Sequence, residues 1–189
     1  MNFFTADPHF GHANIIRSCS RPFKDAEEMD RTLIDNWNAC VGEEDAVFIL
    51  GDFCYRSRRD PVFYLKALHG HKHLILGNHD PRALYTGPLL KFFAEVVDYK
   101  ELKGESGNTF VLFHYPILFW NGTPDAHYVH LYGHIHNSTF CNERTDRLYN
   151  ALNVGMDVSD FRPLSEEEVL LKVREISAGK EWSYSPRPR

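Results

Sequence analysis

The sequence predicts a layered α/β fold in a single domain, and three observations support this prediction. The chain has 189 residues, the length of one domain at roughly 100–200 residues per domain. Hydrophobic residues make up 43% and charged residues 25%, proportions typical of a globular protein and not of a disordered or fibrous chain. Runs typical of strands alternate with runs typical of helices, which favours a layered α/β architecture. We therefore expect residues 1–189 to form one domain.

Seven segments have the pattern of β-strands. Several are short, continuous apolar runs, which are typical of strands buried inside a sheet. Because such runs recur along most of the chain, the sequence predicts at least one well-covered sheet. The predicted strands span residues 2–6, 46–50, 73–76, 95–102, 109–113, 128–132 and 148–154.

Four segments are predicted as helices. In the first of them an apolar residue recurs every four positions from Met29 to Val41, which gives the helix one apolar stripe. The first and last helices are preceded by the spacing of a capping box, in which a side chain and the third helical residue satisfy each other's backbone amides. The chain after residue 176 contains glycine and prolines, and we expect residues 177–189 to be partly loose. The helices span residues 26–41, 61–68, 89–93 and 165–176, and the capping pairs are Asp25 with Glu28 and Ser165 with Glu168.

Composition narrows the possible partners and compartment. The net charge of −5 argues against nonspecific binding to bulk nucleic acid, which depends on a basic field, although a small phosphate-bearing substrate remains compatible. No apolar run approaches the roughly 18 residues of a membrane span, and the first residues lack the pattern of a signal peptide. The four cysteines show no C-x-x-C spacing and are predicted to be reduced. We expect a cytoplasmic protein without a membrane partner, and the sequence leaves its oligomeric state open.

Metal-competent side chains follow five of the predicted strands, each at the point where the strand ends. In open α/β sheets, ligand sites lie at the carboxyl ends of the strands, so these side chains are expected to converge. Taken alone, a pair such as His134 and His136 would be interpreted as ordinary polar residues, and the metal interpretation depends on the whole set. The candidate ligands are Asp7, His9, Asp52, Asn78, His114, His134 and His136.

The chemistry of this set favours a pair of metal ions. Aspartate and asparagine oxygens combined with imidazole nitrogens suit Mn²⁺, Fe, Zn²⁺ or Ni²⁺, and there is no thiolate to select Cu(I). Seven ligands are too many for one four-coordinate zinc and fit two ions that share a bridging carboxylate. We expect two divalent metal ions, with Mn²⁺ as the first choice and Fe, Zn²⁺ or Ni²⁺ as alternatives.

In this order, the motifs resemble those of the calcineurin-like metallophosphoesterase superfamily, which are D-x-H, G-D, G-N-H-[DE], a lone H and G-H-x-H. Two further stretches, residues 10–16 and 153–157, resemble a compact bacterial and phage subgroup. The resemblance implies a four-layer α/β/β/α sandwich with two facing mixed sheets. The matching residues are Asp7-Pro8-His9, Gly51-Asp52, Gly77-Asn78-His79-Asp80, His114 and Gly133-His134-Ile135-His136.

The resemblance also implies roles for these residues. His79 would face the substrate as general acid, and Asp80 would orient it. Apart from the resemblance, we expect Asn78 and also His12, which lies three residues after His9, to contact the substrate, although His12 could equally be part of the loop scaffold. One departure from the family pattern is Phe53-Cys54-Tyr55-Arg56, which stands where acidic or polar residues usually follow G-D. By the same resemblance the first metal would be held by Asp7, His9, Asp52 and His136, and the second by Asp52, Asn78, His114 and His134, with Asp52 bridging.

The implied function is hydrolysis of a phosphate ester by attack of a metal-bridging hydroxide, with His79 protonating the leaving alkoxide. Two aspartates, two divalent ions and one hydroxide sum to a charge of about +1, which a phosphodiester monoanion neutralises. We therefore expect a small phosphodiester as substrate, with nucleic acid less favoured. The alternatives are a phosphomonoesterase or protein phosphatase, and a catalytically silent metal-binding scaffold. The basic residues Arg56, Arg58 and Arg59 are predicted to be a solvated surface.

Overall fold

Two β-sheets face each other in this protein, and helices pack on their outer surfaces. The computed structural model describes residues 1–123 and 125–178, so the prediction of a partly loose tail lies almost wholly outside the described residues. Within them, no helix is long and apolar enough to cross a membrane.

The first sheet has five strands in the order β4-β3-β2-β1-β9. Strands β1 to β4 are parallel, and β9 runs antiparallel to β1. The strands are β1 (Asn2–Thr5), β2 (Ala46–Ile49), β3 (His71–Ile75), β4 (Glu95–Val97) and β9 (Leu164–Ser165).

The second sheet has four strands in the order β5-β6-β7-β8. Strands β6 to β8 are parallel, and β5 pairs antiparallel with β6. Both sheets are thus mixed, as predicted. The strands are β5 (Tyr99–Lys103), β6 (Thr109–Phe113), β7 (Tyr128–Tyr132) and β8 (Ala151–Asn153).

In the described part of the chain, six α-helices and two 3₁₀ turns lie between or after the strands. The capping box predicted for the last helix is complete, since Ser165 accepts from the Glu168 amide and the Glu168 carboxylate accepts from the Ser165 amide. The helices are α1 (Ala13–Ser18), α2 (Ala26–Cys40), α3 (Pro61–Ala67), α4 (Arg82–Tyr85), α5 (Thr139–Thr145) and α6 (Glu166–Ser177), and the 3₁₀ turns are Leu90–Phe92 and Met156–Val158.

Successive side chains of a strand point to opposite faces of the sheet, and this divides the core into layers. Phe3 points to the helical side and belongs to the same buried cluster as Trp37 of α2. Its neighbour Phe4 points to the other side, where its ring lies 5.6 Å from Phe48 and 4.9 Å from Phe110 of the second sheet. Each buried aromatic side chain contributes about 1.5–3 kcal/mol to folding. The packing of these aromatic side chains therefore holds the two sheets face to face.

A fourth, thinner layer covers the outer surface of the second sheet. There Tyr132 and Ala151 form a small buried cluster with Leu148, and Cys141 of α5 packs against it. The four-layer α/β/β/α arrangement is thus confirmed. All four cysteines are free thiols.

Several predicted elements differ from the observed ones for local reasons. Residues 95–102 form two strands, β4 and β5, which belong to different sheets and separate at Asp98. The predicted helix at 89–93 is a 3₁₀ turn. At α2, Asp25 caps the helix by accepting from the Glu28 amide, but the Glu28 carboxylate accepts from the Lys24 amide, so the predicted capping box is only half formed. The short elements α1, α4, α5 and β9 were not predicted, because none is long enough to show a clear periodicity.

Candidate metal centre

Loops from both sheets converge where their parallel strands end. Backbone hydrogen bonds tie the loops together: the Asp7 amide donates to the Gly51 carbonyl at 3.0 Å, and the Gly133 amide donates to the His114 carbonyl at 2.9 Å. These contacts join the end of β1 to that of β2 and the end of β6 to that of β7, and the two sheets are joined where the Ala6 amide after β1 donates to the Val154 carbonyl after β8 at 3.0 Å. The predicted convergence of strand ends is therefore observed.

The first group of ligand atoms comes from Asp7, His9 and His136. One ligand atom from each of the three lies within 4.8 Å of the others. Asp7 Oδ1 and both ring nitrogens of His9 are buried without a hydrogen-bond partner. Burial of unpaired polar atoms is costly, and a cation would satisfy them. The donor set thus fits a divalent metal ion.

Asp52 connects this group to a second one. A further set of atoms within 4.8 Å of one another comes from Asp7, Asp52 and His114. Asp52 Oδ2 lies 3.4 Å from His9 Nε2 and 3.7 Å from His114 Nε2, while Asp52 Oδ1 accepts from the His79 amide at 2.8 Å. One carboxylate oxygen therefore lies between two imidazoles, as a bridging ligand would.

His114 is held in one orientation. Its Nδ1 lies 2.7 Å from the Leu50 carbonyl, which can only accept, so Nδ1 carries the proton. Burial lowers the pKa of His114, so the ring stays neutral and Nε2 keeps a lone pair. That lone pair lies 3.1 Å from Asn78 Oδ1. Two acceptors this close fit a cation between them.

His134 is the loosest of the predicted ligands. Its ring is exposed and its centroid lies 5.2 Å from that of His114. Among the described residues, it belongs to neither of the two groups above. Its backbone amide donates to Asp7 Oδ2 at 2.7 Å, so it also orients the first group.

The backbone of the site is strained. Positive φ angles between 49° and 68° occur at five of the seven predicted ligands. Non-glycine residues rarely adopt this conformation, and it concentrates at functional sites, where the surrounding structure maintains it. The five residues are Asp7, His9, Asp52, His134 and His136.

Two glycines are required for steric reasons. A Cβ at Gly77 would lie 2.3 Å from Asp52 Oδ1, and a Cβ at Gly133 would lie 2.5 Å from Asp7 Oδ2. Only a residue without a side chain leaves room for these carboxylates. The glycines in the G-N-H and G-H-x-H motifs therefore serve the ligand geometry directly.

His136 is held by an aspartate, which in turn is paired with a buried arginine. Asp157 Oδ2 lies 2.8 Å from His136 Nδ1, which directs the other ring nitrogen towards the metal group. The fully buried Arg21 donates to both Asp157 oxygens and to the carbonyls of Asp7 and Pro8. The prediction did not include Arg21 or Asp157 among the site residues, although the 153–157 motif ending at Asp157 was a usable signal.

Replacing Asp157 by Asn is expected to lower the free energy of unfolding by about 3–5 kcal/mol, because it leaves the buried Arg21 charge without a carboxylate partner. Urea denaturation of the metal-free protein measures this. The exposed Asp160→Asn change is the control and should have almost no effect. Equal stability of the Asp157 variant and the unchanged protein would contradict the importance given to this ion pair.

The Asp80 carboxylate is held by backbone amides. Its carboxylate accepts from the amides of Asp52, Phe53 and Gly77 at 2.7–3.0 Å. Within the described residues, all its hydrogen bonds come from backbone amides and none from the His79 ring. Because Asp80 is buried, its pKa rises to about 6. The Asp80 carboxylate thus fixes the backbone that carries Asp52, and its expected role in orienting the His79 side chain stays a prediction.

The predicted substrate residues form an aromatic rim. His79 is partly exposed, and its ring centroid lies 5.5 Å from that of His9. His12 lies 5.3 Å from His9, and its buried Nδ1 has no hydrogen-bond partner. Tyr55, which was not predicted as a site residue, packs against both rings. Its ring centroid lies 4.1 Å from that of His79 and 4.9 Å from that of His12. Asn78 is exposed beside them.

Protonation competes with metal binding in the first group. Burial raises the pKa of Asp7 to about 8. Burial alone would lower the pKa of His136, but its hydrogen bonds with Asp157 and Cys19 and the charge of Asp7 outweigh this and raise it to about 10. The metal-free Asp7–His136 pair therefore retains protons at neutral pH that a metal ion must displace.

We accordingly expect metal binding to release at least one proton and to tighten as the pH rises, by about tenfold per pH unit for each proton displaced. Titration calorimetry with Mn²⁺ in buffers of different ionisation enthalpy gives the proton count. An affinity that does not change between about pH 6 and pH 8 would contradict this assignment of protons.

The chain is similar to a protein family, to two relatives and to one solved structure. The model of a family described as calcineurin-like phosphoesterase matches residues 3–167. An uncharacterised protein of Methanocaldococcus jannaschii is 32% identical over 94% of this chain and 92% of its own length. The gene 66 protein of Mycobacterium phage D29 is 31% identical over 94% of this chain and 98% of its own length. The crystal structure of a protein of unknown function from Aquifex aeolicus superimposes with a TM-score of 0.70 at 28% identity, covering 89% of this chain and 97% of the other.

Proposed function

This chain belongs to the calcineurin-like phosphoesterase family, and on that premise we propose that it is a dinuclear-metal phosphodiesterase. The observation that carries the proposal is the position of Asp52 Oδ2 between His9 and His114, at 3.4 Å and 3.7 Å. One oxygen in that position can serve two ions at once. A site for one metal ion would not need a carboxylate oxygen between the two imidazoles.

The described residues supply ligands for both ions. When bound, two divalent cations supply Lewis acidity, acidify water and offset the charge of a phosphoryl group. We propose Mn²⁺ as the native ion, since the donors are oxygen and imidazole without thiolate. The first ion would be held by Asp7, His9, Asp52 and His136, and the second by Asp52, Asn78, His114 and His134.

The chain's own groups would handle substrate and proton. His79 is partly exposed beside the ligands and can give a proton to the departing alkoxide oxygen, which is worth about 10²–10⁴ in rate. Its backbone amide is anchored on Asp52 Oδ1, so the position of His79 is tied to that of the bridging carboxylate. His12 and Asn78 would contact the phosphoryl oxygens from the rim.

A diester is favoured over a monoester by charge. Two aspartates, two divalent ions and the hydroxide nucleophile together carry a charge of about +1, which a phosphodiester monoanion balances and a monoester dianion exceeds. Since Arg21 is engaged by Asp157 and by backbone carbonyls, it adds no free positive charge for a dianion. The centre itself thus favours a singly charged phosphoryl group.

The test is parallel hydrolysis of bis(p-nitrophenyl) phosphate and p-nitrophenyl phosphate by the purified protein. Each substrate is assayed before and after chelation, and after restoring Mn²⁺, Zn²⁺, Ni²⁺ or Mg²⁺. We expect metal-dependent cleavage that favours the diester and is restored best by Mn²⁺. Preference for the monoester would overturn the diester assignment. No cleavage with two ions bound per chain would favour the metal-binding scaffold instead.

A further inference from the structure

A chain of contacts leads from the metal ligands to the surface on the side of His79. The His79 ring packs on Tyr55 at 4.1 Å, and the Arg56 guanidinium lies over the same Tyr55 ring at 5.1 Å. These two residues belong to the segment that departs from the family pattern after G-D. The surface next to the proposed general acid is therefore formed by this segment.

Arg56 borders a cleft whose carboxylates already have hydrogen-bond or ion-pair partners. The cleft has a volume of about 590 Å³ and is lined by His12 and Arg56 among others. Three carboxylates also line it. Asp25 accepts from the Glu28 amide, Asp30 accepts from the Gly11 amide and the Tyr64 hydroxyl, and Glu27 pairs with Arg59 at 3.7 Å.

Three arginines line the cleft: Arg59 is paired, Arg56 and Arg58 form no ion pair within the described residues, and Arg56 is the one that contacts Tyr55 beside His79. Arg59 forms an ion pair with Glu27, and its guanidinium also lies over the Phe63 ring at 4.4 Å. In the described part of the chain, by contrast, no acidic side chain forms an ion pair with Arg56. Arg56 also has a positive φ of 49°, a strained conformation that is found preferentially at functional positions. An exposed, unpaired guanidinium at this place can bind an anion.

We propose that Arg56 binds a second anionic group carried by the leaving alcohol, so that the substrate is a phosphodiester whose leaving alcohol bears a phosphate or carboxylate. This inference rests on the proposed function, because it places the leaving group beside His79. Hydrolysis breaks the bond from phosphorus to the leaving oxygen, and the oxygen of water forms the new bond to phosphorus. The leaving oxygen takes the proton of His79, and a proton of the water replaces it.

Two chromogenic diesters with different leaving groups test the proposal. One is methyl p-nitrophenyl phosphate, and the other carries a carboxylate on the ring, meta to the phosphoryl oxygen. The measured quantity is the ratio of kcat/KM for the carboxylated diester to that for the neutral one. We expect Arg56→Gln to lower this ratio by about fivefold, as for loss of one exposed ion pair, chiefly through KM. Arg56→Lys should retain most of the ratio, and Arg59→Gln in the same cleft should leave it unchanged.

The outcomes separate this inference from the proposed function. If neither diester is cleaved with metals bound, the proposed phosphodiesterase activity itself fails. If both are cleaved and Arg56→Gln lowers both rates equally, or neither, Arg56 does not bind the leaving group and the inference is overturned. If Arg59→Gln lowers the ratio as much as Arg56→Gln, the effect is a general one of cleft charge and the assignment to Arg56 is also overturned.

Discussion

Asp52→Asn is expected to remove both metal ions from the protein and to lower kcat/KM on a phosphodiester by about 10³-fold or more, since metal ions contribute several kcal/mol to such reactions. The reason is geometric. Asn keeps an oxygen that can accept from the His79 amide, as Asp52 Oδ1 does at 2.8 Å. The amide nitrogen replaces Oδ2, which lies near both His9 and His114, and an amide NH₂ cannot bind a cation.

Metal content measured by plasma mass spectrometry after equilibration with Mn²⁺ decides this prediction. The exposed Asp35→Asn on α2 is the matched control and should retain two ions per chain. The metal-free Asp52 variant should unfold no more easily than the metal-free unchanged protein, because the loop hydrogen bond persists. Loss of one ion with retention of the other would show that Asp52 does not bridge.

His79→Asn should have a large effect of a different kind. Turnover is expected to fall by about 10²–10⁴, the contribution of a general acid, while both metal ions stay bound. The His79 backbone amide still donates to Asp52 in this variant, because the substitution changes only the side chain. The defect should also be smaller for diesters with acidic leaving groups, whose alkoxides need less protonation.

Steady-state kinetics on diesters of graded leaving-group acidity, combined with metal analysis, distinguish this role from a structural one. His127→Asn is a suitable control. His127 is exposed and precedes β7 (Tyr128–Tyr132), at the opposite end of that strand from His134. A His79 variant with unchanged turnover would refute the general-acid role, and one that loses metal would show that His79 holds the centre together.

Much of the fold and the meeting of the candidate ligands could be predicted from the sequence. Short, mostly apolar runs mark buried strands, and Asp7, Asp52 and His114 lie within two residues of the end of such runs. Because parallel strands bring their carboxyl ends to one edge, position along the chain was enough to predict that Asp7 and Asp52 meet, whereas His114 follows β6 of the second sheet and meets them through the packing of the two sheets. The complete capping box at Ser165 is likewise a local signal, contained within four residues.

The contacts that shape the centre were decided only by the tertiary structure. Arg21 reaches Asp157 across 136 residues, and no local pattern encodes that pair. Asp80 adjoins His79 in sequence, yet its carboxylate binds the Asp52 amide 28 positions away. The division of residues 95–102 between two sheets likewise depends on which neighbours each half can pair with. Periodicity is a property of neighbouring residues and is read from the sequence, whereas hydrogen-bond partners and strained φ angles follow from how the two sheets pack against each other.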